Sequence, residues 1–392
     1  MKINIPLLIA LVTSLNLVAC NNGSSSSSPA PVPPPSASNV TQVIAGSGYN
    51  GQGANTPYIT VTVCVPNTTT CQTLDYILLD TGSVGLKIDQ SQMTVSLPAI
   101  LQTGTNLPFS VCNLYGSGYA FATANYADVY IAGEKASNIP VQVIDDSSSQ
   151  SGVPTSCSNQ GQPIDFSSSG ARGIIGVNPI INVANSTNID YVYNNGSYEE
   201  TTSGIPVQYF NVNPVGYFAS DNNGEIISLP AATANTNTNL VGTMTFGLNT
   251  ESNNTVPSGV SSVLGDPNNF IGEFKATTQG VTYDSMFDSG TNTWLFYDAS
   301  IAVCPTGDYC PSNAVTWQST INSYNNTSNP ISINATIEAP GNNAIMPFWG
   351  YQSSSGSGLY GLPFYYGKTV YLGFVGYQTS MGAGPTWGFT SN

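Results

Sequence analysis

The sequence predicts an all-β protein with two lobes, and three observations support this prediction. Charged residues make up only 7% of the chain, whereas it contains 39 glycines and 26 prolines, which suits short strands and tight turns. No stretch shows the sustained 3.6-residue apolar period of a helical bundle. With 392 residues, the chain also exceeds what one compact core usually holds, so we expect two domains or two lobes of one domain.

One short motif occurs twice, and the rest of the chain is interpreted as its scaffold. Residues 78–88 read LLDTGSVGLKI, which places Asp80 in a turn between two apolar segments. In the second half of the chain, MFDSGT at 286–291 repeats the pattern around Asp288. Because the two copies lie in different halves, we expect an internally duplicated fold in which each lobe contributes one aspartate.

Composition excludes several classes of function. The formal net charge of −15 reflects the presence of only six basic residues, too few for clustered phosphate contacts, so no nucleic-acid partner is expected. The sequence contains no histidine, which excludes Ser-His-Asp and Cys-His catalysis and most zinc hydrolase sites. Any hydrolytic chemistry must therefore depend on carboxylates, tyrosine or water, and we expect neither a metal nor a cofactor.

The N-terminus predicts export. In residues 1–19, Lys2 precedes an apolar run too short for a retained spanning helix, which is typical of a secretory signal peptide. The ending LVAC resembles the lipobox of bacterial lipoproteins and implies that Cys20 is lipidated; an ordinary signal peptide with an incidental cysteine is the alternative. We expect a lipid-anchored protein of the bacterial cell envelope, periplasmic or surface-facing. The outer membrane is favoured because Asn21 is not the aspartate that signals inner-membrane retention in lipoprotein families.

The rest of the chain divides into a tether, two β lobes and the connection between them. The Ser- and Pro-rich residues 20–39 predict a disordered tether. An N-terminal β lobe is expected over 40–180, a poorly patterned connection over 181–215 and a C-terminal β lobe over 216–392. Apolar alternation, or an apolar run bracketed by turn residues, predicts strands at 59–65, 74–79, 111–115, 127–131, 139–144, 173–177, 225–229, 242–248, 281–287 and 370–374.

Six cysteines remain after Cys20, and an even number in an exported chain favours disulfides. Cys64 and Cys71 flank a turn and would clip a hairpin whose second strand leads to the first motif. The spacing favours the pairs Cys64–Cys71, Cys304–Cys310 and, as the remaining two, Cys112–Cys157. Six cysteines allow fifteen pairings, and free buried thiols are the further alternative.

Two motif turns that face each other can bring Asp80 and Asp288 into hydrogen-bond contact. At about 3 Å and an effective dielectric constant near 20, two carboxylates repel by roughly 5 kcal/mol, so they share a proton. One is then an acid and the other a base, and a water between them can be activated against a carbonyl group. The motif glycines would allow close approach, the hydroxyls after them would orient the carboxylates, and the residue after each aspartate would bond across the interface. These supporting residues are Thr81, Gly82, Ser83, Ser289, Gly290 and Thr291.

With both motifs in place, the chain after the tether resembles pepsin-like aspartic proteases. Further matches are the strand at 174–176 behind the first aspartate and, more weakly, 359–361 in the second lobe. The chain is also similar to an uncharacterised bacterial family of exported proteins that share GLPF at 361–364 and the SGY flap region. The resemblance implies pseudo-two-fold related lobes with a central cleft and a catalytic pair, Asp80 and Asp288. It also implies a flap that closes over substrate, made of Tyr115, Gly116, Ser117 and Gly118; the alternative for Tyr115 is a turn aromatic that packs on the sheet.

The resemblance implies an aspartic endopeptidase that acts as a monomer on peptide or protein substrates. Two features depart from the pepsin pattern: Lys87 stands where an aromatic residue bonds the flap tyrosine, and only the short tether precedes the first strand, where a basic prosegment would stand. Lys87 favours an alternative, a catalytically silent envelope lipoprotein that binds peptide or glycan in the cleft. A structural envelope protein without an accessible carboxylate pair is the second alternative.

Overall fold

The computed structural model describes residues 38–116, 118–145, 152–183, 188–204 and 210–391. The predicted signal peptide, the lipidation site Cys20, nearly all of the tether and the flap residue Ser117 lie outside the described residues. Residues 35–392 form one compact unit. Among the described residues, no helix is long and apolar enough to cross a membrane.

The prediction of an all-β fold is confirmed. The one α-helix of the described residues is a single turn, α1 (Thr155–Ser158). In the first half the strands are β1 Val40–Gly46, β2 Thr56–Cys64, β3 Cys71–Asp80, β4 Val84–Asp89, β5 Phe109–Tyr115, β6 Gly118–Ile131, β7 Glu134–Ile144, β8 Gly173–Val177, β9 Asn182–Val183, β10 Ile189–Asn194, β11 Ser197–Glu200 and β12 Asn211–Val212.

In the second half the strands are β13 Gly224–Leu229, β14 Leu240–Phe246, β15 Ser261–Leu264, β16 Phe274–Thr278, β17 Val281–Ser285, β18 Trp294–Phe296, β19 Val315–Asn322, β20 Ile331–Ile337, β21 Gly350–Gln352, β22 Leu359–Tyr360, β23 Lys368–Gly373, β24 Gln378–Thr379, β25 Gly382–Ala383 and β26 Thr386–Ser391. Short 3₁₀ turns occur at Gln90–Gln92, Phe166–Ser169, Pro214–Tyr217 and Leu362–Phe364. Each predicted strand overlaps a strand of the structure.

A 15-stranded sheet joins the two halves, in the order β11-β10-β5-β6-β7-β4-β8-β3-β2-β1-β14-β13-β23-β26-β15. The strand that connects the two halves is β1, which pairs antiparallel with β2 and with β14. Asn39, which the sequence places in the tether, is buried and donates a hydrogen bond to the Phe246 carbonyl at 3.1 Å. The folded part therefore begins before the first predicted strand and connects directly to the second half.

The predicted connection over 181–215 contains strands of its own. β10 pairs with β5, and β11 extends the sheet beyond it. These edge strands are only partly buried, so their sequences lack the clean apolar alternation that marked the central strands. The segment thus adds to the sheet of the first half.

The three predicted disulfides are confirmed. Cys64–Cys71 closes the β2–β3 hairpin, Cys112–Cys157 ties β5 to α1, and Cys304–Cys310 closes a loop after β18. Cys64–Cys71 and Cys304–Cys310 each join cysteines that are close in sequence, whereas Cys112–Cys157 joins segments 45 residues apart. Their presence fits an oxidising compartment.

The core also contains buried carboxyl groups. Glu225 on β13 is 0% exposed, and neither of its side-chain oxygens has a hydrogen-bond partner among the described residues. Burial raises the pKa of Glu225 well above its ordinary value. Burial also raises the pKa of Asp190 to about 6. Both groups are therefore protonated in the folded protein at pH values at which the unfolded chain has lost these protons.

Replacing Glu225 by glutamine should change how stability depends on pH. At pH values below 4.5, the ordinary pKa of glutamate, Glu225 is protonated in both states and costs little. As the pH rises above that value, the unfolded state ionises while the buried group stays protonated, so the free energy of unfolding of the wild type falls. Urea denaturation should show that Glu225→Gln gains stability over the wild type between pH 5 and pH 7.

The exposed Glu200→Gln is the matched control and should change the free energy of unfolding by less than about 0.5 kcal/mol. Parallel stability curves for the wild type and Glu225→Gln from pH 3.5 to pH 7 would contradict the assignment of a buried, protonated Glu225.

Candidate active site

The first motif turn is held between two strands that share a neighbour. β3 ends at Asp80 and β4 begins at Val84, and β8 pairs with both: parallel with β3 and antiparallel with β4. Gly176 of β8 lies opposite Asp80, and a Cβ there would stand 2.5 Å from the Ser83 carbonyl carbon. Glycine at this point lets the main chain pass directly behind the turn.

The second motif turn is built in the same way. Phe287 bridges parallel to Tyr360, and Trp294 on the far side of the turn pairs antiparallel with the same residue. The Asp288 N–H donates to the Tyr360 carbonyl at 2.9 Å. A Cβ at Gly361 would collide with the carbonyl oxygens of the turn. The predicted strand at 359–361 thus lies behind the second aspartate as 174–176 lies behind the first.

The two turns are joined by reciprocal hydrogen bonds. The Thr81 N–H donates to Ser289 Oγ at 3.1 Å, and the Ser289 N–H donates to Thr81 Oγ1 at 2.9 Å. Each hydroxyl donates onward into the opposite half: Thr81 Oγ1 to the Phe287 carbonyl at 2.6 Å and Ser289 Oγ to the Leu79 carbonyl at 2.7 Å. The N–H and hydroxyl groups of both residues in this buried junction are therefore hydrogen-bonded.

Two donors from its own turn orient the Asp80 carboxyl group. The Gly82 N–H donates to Asp80 Oδ1 at 2.7 Å, and the Ser83 hydroxyl donates to Oδ2. Asp80 is 6% exposed. Hydrogen bonds from its own turn thus hold both side-chain oxygens of Asp80 in place.

Asp288 is held by the equivalent bonds. The Gly290 N–H donates to Oδ1 at 2.9 Å and the Thr291 hydroxyl to Oδ2 at 2.6 Å. Each motif glycine faces the opposite carboxyl group, because a Cβ at Gly82 would stand 2.6 Å from Asp288 Oδ1 and a Cβ at Gly290 would stand 2.5 Å from Asp80 Oδ1. No side chain larger than hydrogen fits at either position unless the pair moves.

The two carboxyl groups form a hydrogen-bonded pair. Burial raises the pKa of Asp288 well above its ordinary value, and the charge of Asp80 and a side-chain hydrogen bond with Asp80 raise it further. Asp288 is 8% exposed. The pair therefore keeps one proton at pH values at which an isolated aspartate would be ionised, and it combines an acid with a potential base.

A cavity of about 740 Å³ opens onto this pair. Asp80 and Asp288 line it together with apolar side chains from both halves: Leu78, Ile164, Phe166, Ile174, Ile271, Met286, Leu295 and Leu359. An elongated ligand with apolar groups would fit its composition. Among the described residues, no group of three or more His, Cys, Asp or Glu side chains could hold a metal ion.

Three of the predicted flap residues, Tyr115, Gly116 and Gly118, lie where β5 ends and β6 begins. Tyr115 and Gly116 line the cavity, and Tyr115 pairs with Gly118 across the turn. The Tyr115 ring packs edge-on against Phe166, with 6.4 Å between the ring centroids. Its hydroxyl is buried and has no hydrogen-bond partner among the described residues.

Sequence reasoning missed two residues that support the junction. Tyr365 places its hydroxyl 2.9 Å from Thr81 Oγ1 and 3.0 Å from the Phe287 carbonyl, to which it donates. Asn178 Nδ2 donates to the Thr81 carbonyl at 2.9 Å. Tyr365 directly follows the GLPF segment, which could have pointed to it, whereas nothing in the local pattern distinguishes Asn178 from the many other asparagines of the chain.

Fold and site together define an all-β protein with a carboxyl pair at the base of a cavity. The chain belongs to the family described as "Protein of unknown function (DUF3443)", whose model matches residues 35–389. The comparison with curated proteins found no match.

Replacing Thr81 by valine should destabilise the protein strongly. Valine has nearly the same shape but leaves the buried Ser289 N–H without its acceptor, and it removes one of the two donors to the Phe287 carbonyl, where Tyr365 remains. We expect a loss of about 3 kcal/mol in the free energy of unfolding, measured by urea denaturation. Thr282→Val is the control, because its hydroxyl pairs with Thr277 on the surface, and it should change stability by less than about 0.5 kcal/mol. Equal effects of the two variants would show that the junction carries no special stability.

Proposed function

We propose that the protein is an aspartic endopeptidase, of the pepsin-like type that its two motifs resemble. The observation that carries this proposal is the hydrogen-bonded pair of Asp80 and Asp288 lining a cavity that both halves form. A peptide bond in an extended substrate would lie across the pair. The cavity is large enough for several side chains, and its apolar walls would bind them.

The chemistry follows from the shared proton. Asp80 acts as the base: it takes a proton from a water molecule while the water oxygen bonds to the carbonyl carbon, and Asp288 donates its proton to the carbonyl oxygen. The tetrahedral intermediate then collapses: Asp80 returns the proton to the amide nitrogen, the C–N bond breaks, and Asp288 recovers a proton from the intermediate's hydroxyl. The products are a carboxylic acid and an amine, and no covalent enzyme intermediate forms.

The surrounding bonds make this exchange efficient. Ser83 and Thr291 donate to the Oδ2 atoms, and the motif N–H groups donate to the Oδ1 atoms, so neither carboxyl group has to reorient during the reaction. The reciprocal bonds of Thr81 and Ser289 keep the two turns at a constant distance. Proton transfer therefore occurs in a preorganised site.

We further propose that this enzyme is exported and anchored in the bacterial cell envelope through a lipid on Cys20, as a monomer acting on peptides or proteins. The signal-peptide pattern of residues 1–19 and the lipobox-like ending support export. The three disulfides of the folded part support it independently, because such bonds persist in oxidising compartments.

A second candidate is a protein that binds peptide or glycan in the cavity without turnover. The observation that favours it is the presence of Lys87 beside the flap residue Tyr115, whose hydroxyl has no hydrogen-bond partner among the described residues. A purely structural role receives less support, because both carboxyl groups line an open cavity.

Peptide hydrolysis should be measurable with the purified folded part, and it should depend on both aspartates. We expect a bell-shaped pH dependence between about pH 3 and pH 7, because activity requires one proton on the pair and is lost when the pair holds two protons or none. Asp80→Asn and Asp288→Asn should each lower kcat at least about 100-fold on a fluorogenic peptide mixture.

The control is Asp75→Asn, an exposed carboxyl group on β3 that should not affect the rate. If the wild type and Asp80→Asn are equally inert over the whole pH range while peptide still binds, the enzyme proposal fails and the binding protein replaces it.

A further inference from the structure

Lys87 places a positive charge in the wall of the cavity. The residue lies on β4, is 2% exposed and lines the same cavity as Asp80. Burial lowers the pKa of Lys87 to about 8, and the charge of Asp80 opposes this shift. The ammonium form therefore predominates at acidic pH, where the aspartate pair keeps its proton.

The Lys87 ammonium group is incompletely bonded. An ammonium group has three donors, and one of them bonds to the Val84 carbonyl at 2.8 Å. No carboxylate of the described residues lies within 4.0 Å of it; the ion pairs found there involve Lys135 and Lys275. A buried cation without a counter-ion is costly, and an acceptor from a ligand would offset that cost.

Two other donors lie on the same wall. The Tyr115 hydroxyl is buried and has no hydrogen-bond partner in the described part of the chain, and the Lys87 Nζ lies 5.9 Å from the centroid of the Tyr115 ring. The second is the side-chain amide of Asn211, which also lines the cavity. It lies near Lys87, since a Cβ at Gly85 would stand 3.1 Å from Asn211 Oδ1 and 3.5 Å from Lys87 Nζ.

The amide oxygens on this wall are already engaged. Gln142 Nε2 donates to Asn211 Oδ1 at 2.9 Å, Asn113 Nδ2 donates to Gln142 Oε1 at 2.5 Å, and Asn188 Nδ2 donates to Asn113 Oδ1 at 3.0 Å. The side-chain oxygens of Asn211, Gln142 and Asn113 thus already accept hydrogen bonds from neighbouring side chains. What the wall offers to a ligand is positive charge and N–H or O–H donors.

We propose that this wall is a carboxylate-binding subsite, in which Lys87 selects substrates with a glutamate or aspartate side chain beside the scissile bond. The inference rests on the proposed peptidase function and adds its substrate class. The ligand carboxylate would accept hydrogen bonds from Lys87 and the Tyr115 hydroxyl. The apolar remainder of the cavity would bind the neighbouring residues.

The test compares matched peptides that differ only in one residue, Glu, Gln or Leu, at each position flanking a mapped cleavage site. At pH 5 to 6 the wild type should prefer the Glu peptide over the Gln peptide by roughly 10- to 100-fold in kcat/KM, because a charged hydrogen bond replaces a neutral one. Lys87→Met and Lys87→Gln should abolish this preference while the Leu peptide is still cleaved.

Lys368→Met is the matched control. Lys368 is also largely enclosed, with its ammonium group 4.8 Å from the centroid of the Phe364 ring, but it does not line the cavity. This variant should keep the preference for Glu. Thermal unfolding of all variants verifies that each is folded.

Three results would overturn the inference: no discrimination between Glu and Gln by the wild type, an unchanged preference in both Lys87 variants, or an equal loss on all three peptides. The last would show that Lys87 acts on the aspartate pair and not on the substrate.

A binding measurement separates this inference from the proposed function. Calorimetric titration of the same Glu and Gln peptides into the wild type and Lys87→Met requires no turnover. If no peptide is cleaved but the Glu peptide binds more tightly in a manner that depends on Lys87, the peptidase proposal fails and the carboxylate subsite stands. If peptides are cleaved and bound without regard to their charge, the peptidase stands and the subsite fails.

Discussion

The contact between two carboxyl groups is the constraint on which the rest of this structure depends. Asp80 and Asp288 repel each other when both are charged, so their side chains stay together only because the backbone holds them. The reciprocal bonds between Thr81 and Ser289 provide that hold, and Tyr365 and the strands behind each turn extend it into both halves. Breaking the junction would release the pair.

The two halves reach the same backbone arrangement with different cores. Aliphatic residues such as Leu79 and Ile175 lie behind the first turn, whereas aromatic rings surround the second: Phe287 stacks on Phe364 with 4.2 Å between the centroids and meets Trp387 edge-on. The geometry of the pair therefore depends on strand pairing and on glycines at close approaches. The chemical identity of the core side chains is secondary. This explains how the motifs match while the flanking sequences do not.

Acidity links the stability of the fold to the proposed chemistry. Burial raises the pKa of Asp190, Glu225 and Asp288, so each of these groups favours the folded state at low pH. The small number of basic residues limits the positive charge that accumulates in acid. The same conditions keep a proton on the aspartate pair. The stability of the fold and the protonation state that the proposed chemistry requires are therefore both favoured below neutral pH.

The sequence by itself determined the class of fold, the two aspartates and their supporting residues as motif members, and it favoured the three disulfides among fifteen possible pairings. These features follow from local patterns: apolar alternation, a duplicated turn and, for two of the disulfides, a short cysteine spacing. Only the tertiary structure decided that β1 joins β14, that β10 and β11 extend the sheet, that Glu225 is buried with no hydrogen-bond partner among the described residues, and that Lys87 shares a wall with Asn211. Such contacts join residues far apart in the chain, and their free energy depends on neighbours that no local pattern specifies.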